Sequence, residues 1–267
     1  MSPSPGRGRA FAIAAPIAII VLLIVAWELA ARWELLADAL QIKPYLIPAP
    51  SDVGEALWQD RELLAENGWV TLREVLAGFA IALVLGVVFA VALHLSETAR
   101  RAFYPLLVAS QTVPIIVVAP ILVVWFGFGI TPKLLIIALI CFFPITVNTL
   151  DGLRSVGDDS IKLMRTLDAD RGAILRRLEL PAALPFLISG AKIAVAVAVI
   201  GAVFGEWSGS DSGLGHLMLE SSAQLLTARL FAAVVVLSLF AVALFALLSL
   251  LERRFAWWGR SEARGTA

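Results

Sequence analysis

The sequence predicts an all-α integral membrane protein with six transmembrane helices. Three observations lead there. The 267-residue chain is 60% hydrophobic and only 16% charged, against roughly 45–50% apolar residues in soluble globular chains. The apolar excess is gathered into runs near the ~20 residues that cross a bilayer. Lysine and arginine concentrate in alternate connecting segments, the bias that marks cytoplasmic loops.

In chain order, Arg7 and Arg9 precede the apolar run Phe11–Ala31. A cleaved signal peptide has an apolar core of only ~7–15 residues, so this run reads as a signal anchor retained as the first span. Arg32–Trp69 is polar and acid-rich, with Glu34, Asp38, Asp52, Glu55, Asp60, Glu62 and Glu66, and with Pro44, Pro48 and Pro50. Ser51 occupies an N-cap position there, and Val53, Leu57 and Leu64 are spaced for a short amphipathic helix at the outer surface. Val70–Leu95 is the second span, entered through Arg73 and Glu74, and Ser96–Arg101 is an inner turn. Ala102–Phe126 is the third, interrupted by Pro105, Pro114 and Pro120. Gly127–Lys133 is an outer turn, and Lys133–Leu150 is the fourth span, with Pro144 inside it.

Asp151–Pro185 is the long polar stretch of the chain and carries Arg154, Lys162, Arg165, Arg171, Arg176 and Arg177. Lipid cannot solvate such a segment, and its basic residues put it in the cytoplasm. A basic, helical, proline-terminated loop of this kind suits the docking of a cytoplasmic partner. Ala182–Glu206 is the fifth span, Trp207–Thr227 an outer loop without Lys or Arg, and Ala228–Leu251 the sixth span. The organisation is then a cytoplasmic tail (1–10), a permease domain (11–251) holding the loop 151–181, and a cytoplasmic tail (252–267) with Arg253, Arg254 and Arg260. Trp27, Trp33, Trp69, Trp125, Trp207, Trp257 and Trp258 fall near span ends, where interfacial aromatics belong.

Composition and motifs exclude several functions. There is no GxxxxGK[ST] phosphate loop, and no catalytic set is found. His94 and His216 fall on opposite sides of the membrane and read as interfacial histidines, so no metal site is expected. Cys141 can form no internal disulfide and reads as a small buried hydrophobe. Zero net charge gives no sign of a nucleic-acid partner.

Polar groups inside spans remain as candidates, because they are costly in lipid and often functional. Lys192 costs about 2.5–3.5 kcal/mol at a helix centre, and the surrounding Leu, Ile, Val and Phe return roughly 3–7 kcal/mol, so the helix still inserts. The lysine either snorkels, caps carbonyls of a neighbour, or touches substrate. Gln111 and Thr112 before Pro114, and Asn148 with Thr149, either bond between helices or line a pathway. Glu206, at the end of the fifth span, joins these pathway candidates. Gly78, Gly86, Gly190, Gly201 and Gly205 form a close-packing signature.

The stretch Asp168–Pro181 resembles the coupling loop (EAA loop) of ATP-binding-cassette importer permeases, since Leu178, Glu179, Leu180 and Pro181 fall in register and Ala182–Pro185 follows. The triplet position reads Lys162-Leu163-Met164, and Asp168 stands where the family has glycine. If that position needs a left-handed backbone, aspartate is among the more tolerable replacements. LIPAPSDV (Leu46–Val53), TLREVLAGF (Thr71–Phe79), Ser110–Gly129 and GSDSGLG (Gly209–Gly215) resemble the nitrate/sulfonate/taurine branch. Cys141–Ser155 and Val199–Trp207 are most similar to permeases for thiamine-precursor pyrimidines.

The resemblance implies a type I importer permease fold. It implies a pair of permease chains, a homodimer or paired permeases, with two cytoplasmic ATPases docked on Ser155–Arg177. It also implies an extracytoplasmic binding protein that delivers substrate. The residues it assigns to ATPase coupling are Arg165, Thr166, Leu167, Asp168, Ala169, Arg171, Arg176, Leu178, Leu180 and Pro181. No cofactor is expected on this chain; ATP and Mg belong to the ATPase partner. An ion-gradient-driven secondary transporter is the main alternative, which would want buried carboxylates near the midplane. A non-transporting membrane anchor is the other.

Overall fold

The computed structural model describes residues 5–33, 41, 43 and 46–255. Glu34, Asp38, Pro44, Trp257, Trp258 and Arg260, singled out in the sequence, lie outside them. Among the described residues every regular element is helical: α1 (Pro5–Arg32), α2 (Pro50–Gln59), α3 (Arg61–Leu95), α4 (Glu97–Ser110), α5 (Ile115–Phe126), α6 (Ile130–Arg154), α7 (Asp158–Thr166), α8 (Arg171–Ile174), α9 (Leu180–Trp207), α10 (Leu214–Ala223) and α11 (Thr227–Phe255). Among the described residues five helices are long and apolar enough to cross a membrane, and the bent pair α4 and α5 makes a sixth span when counted as one. The described residues form two compact units, one drawn from Met1–Ala65 and Leu217–Val235, the other from Glu66–His216 and Val236–Ala267.

In the first unit, α1 presents Ile17, Leu22 and Leu23 outward, the pattern of a lipid-facing helix. Ser51 does not cap α2. The N-cap is Ala49, Pro50 opens the first turn, where its missing N–H costs nothing, and the Asp52 carboxylate accepts from the Ala49 N–H at 2.9 Å. Ser51 instead gives its N–H and hydroxyl, each at 3.0 Å, to Glu28 of α1. The amphipathic helix is also shorter than its spacing suggests. It stops at Asp60, whose carboxylate takes a bidentate pair from Arg229 at 2.7 and 2.8 Å, and Leu64 belongs to α3.

The second unit is built on α3, α6 and α9, with α6 between the other two. Lipid tails are as apolar as leucine, so helices in a bilayer associate through close packing and polar contacts. Small residues supply the closeness here. A Cβ added at Gly78 would lie 2.6 Å from Ile137, and one at Gly86 would lie 2.8 Å from Ile145, so α3 seats directly on α6. From the other side, a Cβ at Gly190 would meet the Pro144 carbonyl oxygen at 2.6 Å, while Gly201 and Gly205 abut Ile140 and Lys133. The five glycines read as a packing signature all serve α6. Cys141 sits fully buried, its thiol 3.3 Å from the Ala194 carbonyl.

Several boundaries move outward from the sequence reading. The second span starts nine residues earlier, because Arg61–Trp69 continues α3 without a break. The fourth and sixth spans extend to Ile130–Arg154 and Thr227–Phe255, and Leu214–Ala223 makes a helix of what read as an outer loop. Residues 5–10 and 252–255, assigned to tails, are helical. The third span is broken, bent by 100° between Ser110 and Ile115. Pro114 makes the break by capping α5 in an extended conformation (ψ 119°). Pro120 lies inside α5 and breaks nothing, and Pro105 is likewise absorbed by α4.

Candidate functional site

The polar segment between α6 and α9 folds as a helix with two turns. Asp158 and Asp159 in the first turn of α7 and Arg165 in its last turn both oppose the helix dipole favourably. The helix ends in a Schellman motif: Ala169 N–H bonds the Met164 carbonyl and Asp168 N–H bonds the Arg165 carbonyl, each at 3.1 Å. Asp168 occupies the left-handed position of that motif, at φ 56°. The conformation that glycine would supply at this point is thus met by aspartate. Replacing Asp168 with valine is expected to cost about 1–2 kcal/mol at this turn. Limited proteolysis of the purified protein should then cut residues 155–170 several-fold faster, with no such change in Asp168→Gly.

Leu163 and Leu167 on this segment are 62% and 71% exposed, and Lys162, Thr166 and Arg165 are exposed beside them. Asp170 caps α8, accepting from Ala173 N–H at 2.7 Å. A π-helical turn, Leu175–Glu179, then leads into α9. Pro181 explains it: the ring cannot donate to the Arg177 carbonyl and pushes it aside, so the turn widens and Leu180 N–H reaches back to Leu175. Arg176 and Arg177 are exposed on this turn, while Glu179 is 1% exposed and faces inward. Its carboxylate meets Arg171 Nη1 at 2.8 Å and His94 Nε2, near the end of α3, at 2.9 Å. Arg171 Nη2 lies 3.0 Å from the same imidazole nitrogen. His94 is therefore a direct partner of Glu179 and Arg171, not an ordinary interfacial histidine. Asp151–Arg154, read as loop, finishes α6.

At the opposite end of α9, Glu206 is also 1% exposed. It accepts from the Thr71 hydroxyl of α3 at 2.6 Å and from the backbone N–H groups of Gly215 and His216. Thr71 in turn accepts from Leu214 N–H at 2.8 Å, and Asn67 accepts from Gly213 N–H at 2.8 Å. Gly213, at φ 112°, lies so close under the Glu206 carboxylate that an added Cβ would fall 2.3 Å from it. Next to this carboxylate, Lys133 pairs with Glu74 at 2.6 Å and donates to Ser210 at 2.7 Å. Glu74 and Lys133, which read as a span-entry and a turn residue, are buried with it, as is Thr71. Buried carboxylates thus stand at the two ends of α9, away from its middle, each joined to a residue of α3.

The remaining candidates separate. Lys192 does not stand alone: its ammonium pairs with Glu252 of α11 at 2.5 Å and lies 5.6 Å from the centre of the Phe245 ring. Glu252, assigned to a tail, is a helical partner. Asn148 and Thr149 bond within their own helix, to the Pro144 and Ile145 carbonyls at 2.8 and 2.6 Å, so neither makes the interhelical bond considered for it. Gln111, Thr112 and Pro114 lie at the break between α4 and α5. A cleft of about 480 Å³ opens there, with Ser110 and Gln111 on its polar side and Val118, Leu139 and Ile140 among its apolar walls. Among the described residues no group of His, Cys, Asp and Glu is placed to hold a metal ion.

Apolar helices with one broken span, glycine-seated packing and an exposed amphipathic helix between two spans define a polytopic membrane protein. The chain belongs to the binding-protein-dependent transport system inner membrane components, whose family model matches residues 82–257. It is 36% identical over 235 residues to a probable ABC transporter permease protein of Haemophilus influenzae, covering 88% of this chain and 96% of that one. It is equally 36% identical over 255 residues to the formylaminopyrimidine transport permease protein ThiX of Halalkalibacterium halodurans, covering 95% and 99%. Its fold matches an inward-facing MetNI methionine ABC transporter with a TM-score of 0.60, at 20% identity, over 72% of this chain and 97% of that one. The chain is thus a multi-pass inner-membrane permease of the type I importer fold, the membrane subunit of an ATP-driven importer, and the ion-gradient alternative is not favoured.

Proposed function

We propose that this permease carries a small polar organic nutrient inward, of the pyrimidine kind transported by its ThiX relative, in preference to an alkylsulfonate, taurine or nitrate. Two copies of the chain form the pathway. Two cytoplasmic ATPases dock on the segment Ser155–Arg177 and supply the ATP and Mg; this chain hydrolyses nothing itself. An extracytoplasmic binding protein delivers the substrate against the loop Trp207–Gly215, and both termini lie in the cytoplasm. The observation that carries the reading is the coupling segment, an exposed helix presenting Leu163, Leu167 and Arg165 and rooted by the buried Glu179. ATP binding to one state of the ATPases shifts the population of the permease between inward- and outward-open forms, which requires differential affinity for the two.

Charge reversal on the coupling turn tests this. Arg176→Glu with Arg177→Glu, both exposed, is expected to leave folding intact and to reduce ATP-driven uptake into proteoliposomes at least tenfold. Uptake at the unmodified rate from this double variant would remove the docking role.

A further inference from the structure

The cleft at the break between α4 and α5 holds no charged side chain. Its hydroxyls are turned back on the helix: Ser110 donates to the Leu107 carbonyl at 2.7 Å, and the neighbouring Thr112 donates to that of Ala109 at 2.8 Å. Gln111 is different. One amide hydrogen reaches Ser110 Oγ at 3.3 Å, and its carbonyl oxygen and second amide hydrogen have no partner among the described residues. The two lysines set into apolar helices of this unit are both engaged, Lys133 by Glu74 and Lys192 by Glu252. Arg73 lies over the Trp69 ring, 5.5 Å from its centre.

An anion moving through a low-dielectric passage needs a cation to replace its water, because an unpaired buried charge is too costly. Neither the cleft nor the two lysines offers one. A free carboxamide, in contrast, presents a donor beside an acceptor, the pair that glutamine uses to read an amino group next to a ring nitrogen in adenine. We infer that the cleft receives an uncharged aminated nitrogen heterocycle and that the Gln111 carboxamide reads its edge, which makes Gln111 a specificity-determining residue. The inference rests on the importer reading above.

The test uses the complete complex, permease with its ATPase and binding protein, in proteoliposomes, with two labelled probes: an N-formyl aminopyrimidine and methanesulfonate. The expected result is ATP-dependent uptake of the pyrimidine alone, a fall of at least tenfold in that uptake in Gln111→Leu and Gln111→Glu, and partial recovery in Gln111→Asn. Uptake of methanesulfonate at a comparable rate, pyrimidine uptake indifferent to Gln111→Leu, or uptake of neither probe by a complex that hydrolyses ATP overturns the inference and leaves the importer standing. Pyrimidine uptake that is lost in Gln111→Leu but ignores ATP supports the cleft and removes the importer reading.

Discussion

Glu206→Ala is expected to unfasten the C-terminal end of α9 from α3. The substitution strips the acceptor from the Thr71 hydroxyl and from two backbone N–H groups, all at a carboxylate that is 1% exposed. Each unsatisfied buried donor costs roughly 1–3 kcal/mol, so a loss of about 3–5 kcal/mol is expected. Tryptophan fluorescence of the detergent-solubilised protein should show Tm falling by about 10 °C, with uptake lost. Glu206→Gln separates the hydrogen bonds from the charge. Its amide oxygen can take the Gly215 and His216 N–H groups, and its nitrogen can donate to Thr71, which turns its own hydrogen to the Asn67 carbonyl 3.2 Å away. Most of the stability should therefore survive. A Glu206→Gln protein as unstable as Glu206→Ala would mean that charge, not hydrogen bonding, holds this end.

Glu179→Ala is expected to produce the second large effect, at the other end of α9. The variant leaves the Arg171 guanidinium and the His94 imidazole facing a buried gap where a carboxylate stood at 2.8 and 2.9 Å. Breaking a buried pair by removing one partner costs about 3–5 kcal/mol, part of which Arg171, 45% exposed, escapes by turning to water. The functional consequence should exceed the loss of stability, because this carboxylate ties the turn Leu175–Glu179, which we propose meets the ATPase, to His94 of α3. Reconstituted with its ATPase, the variant is expected to keep hydrolysing ATP while the substrate moved per ATP falls at least tenfold. Restoring the carboxylate one methylene shorter, in Glu179→Asp, should recover part of that ratio. If hydrolysis and uptake fall in equal proportion, Glu179 serves folding and transmits nothing.

The span count, the broken third span and the position of the basic helical loop between the fourth and fifth spans were legible in the sequence because each follows from quantities that add along the chain. A run such as Ala228–Leu251 carries its own transfer free energy wherever it packs. A proline such as Pro114 acts on its immediate backbone. Asp168 belongs to the same class, since a Schellman motif involves residues within six positions of one another. The limits of this reading appear where a local rule met a distant partner. Ser51 looked like a cap and became a donor to Glu28. Lys192 looked solitary because Glu252 lies in another helix and seemed to belong to a tail.

The sequence by itself determined that this chain is an all-helical membrane protein of six spans with a basic helical loop, since hydropathy, charge bias and turn chemistry are properties of contiguous residues. Only the tertiary structure decided that Thr71 meets Glu206, that Lys133 meets Glu74 and that His94 meets Glu179. Those pairs form because glycine contacts on α6 bring α3 and α9 within reach of one another, at a closeness that periodicity cannot measure. A carboxylate near a span end reads as solvated until its partners are placed beside it. Water is then excluded, and the same side chain becomes the fastening of the bundle.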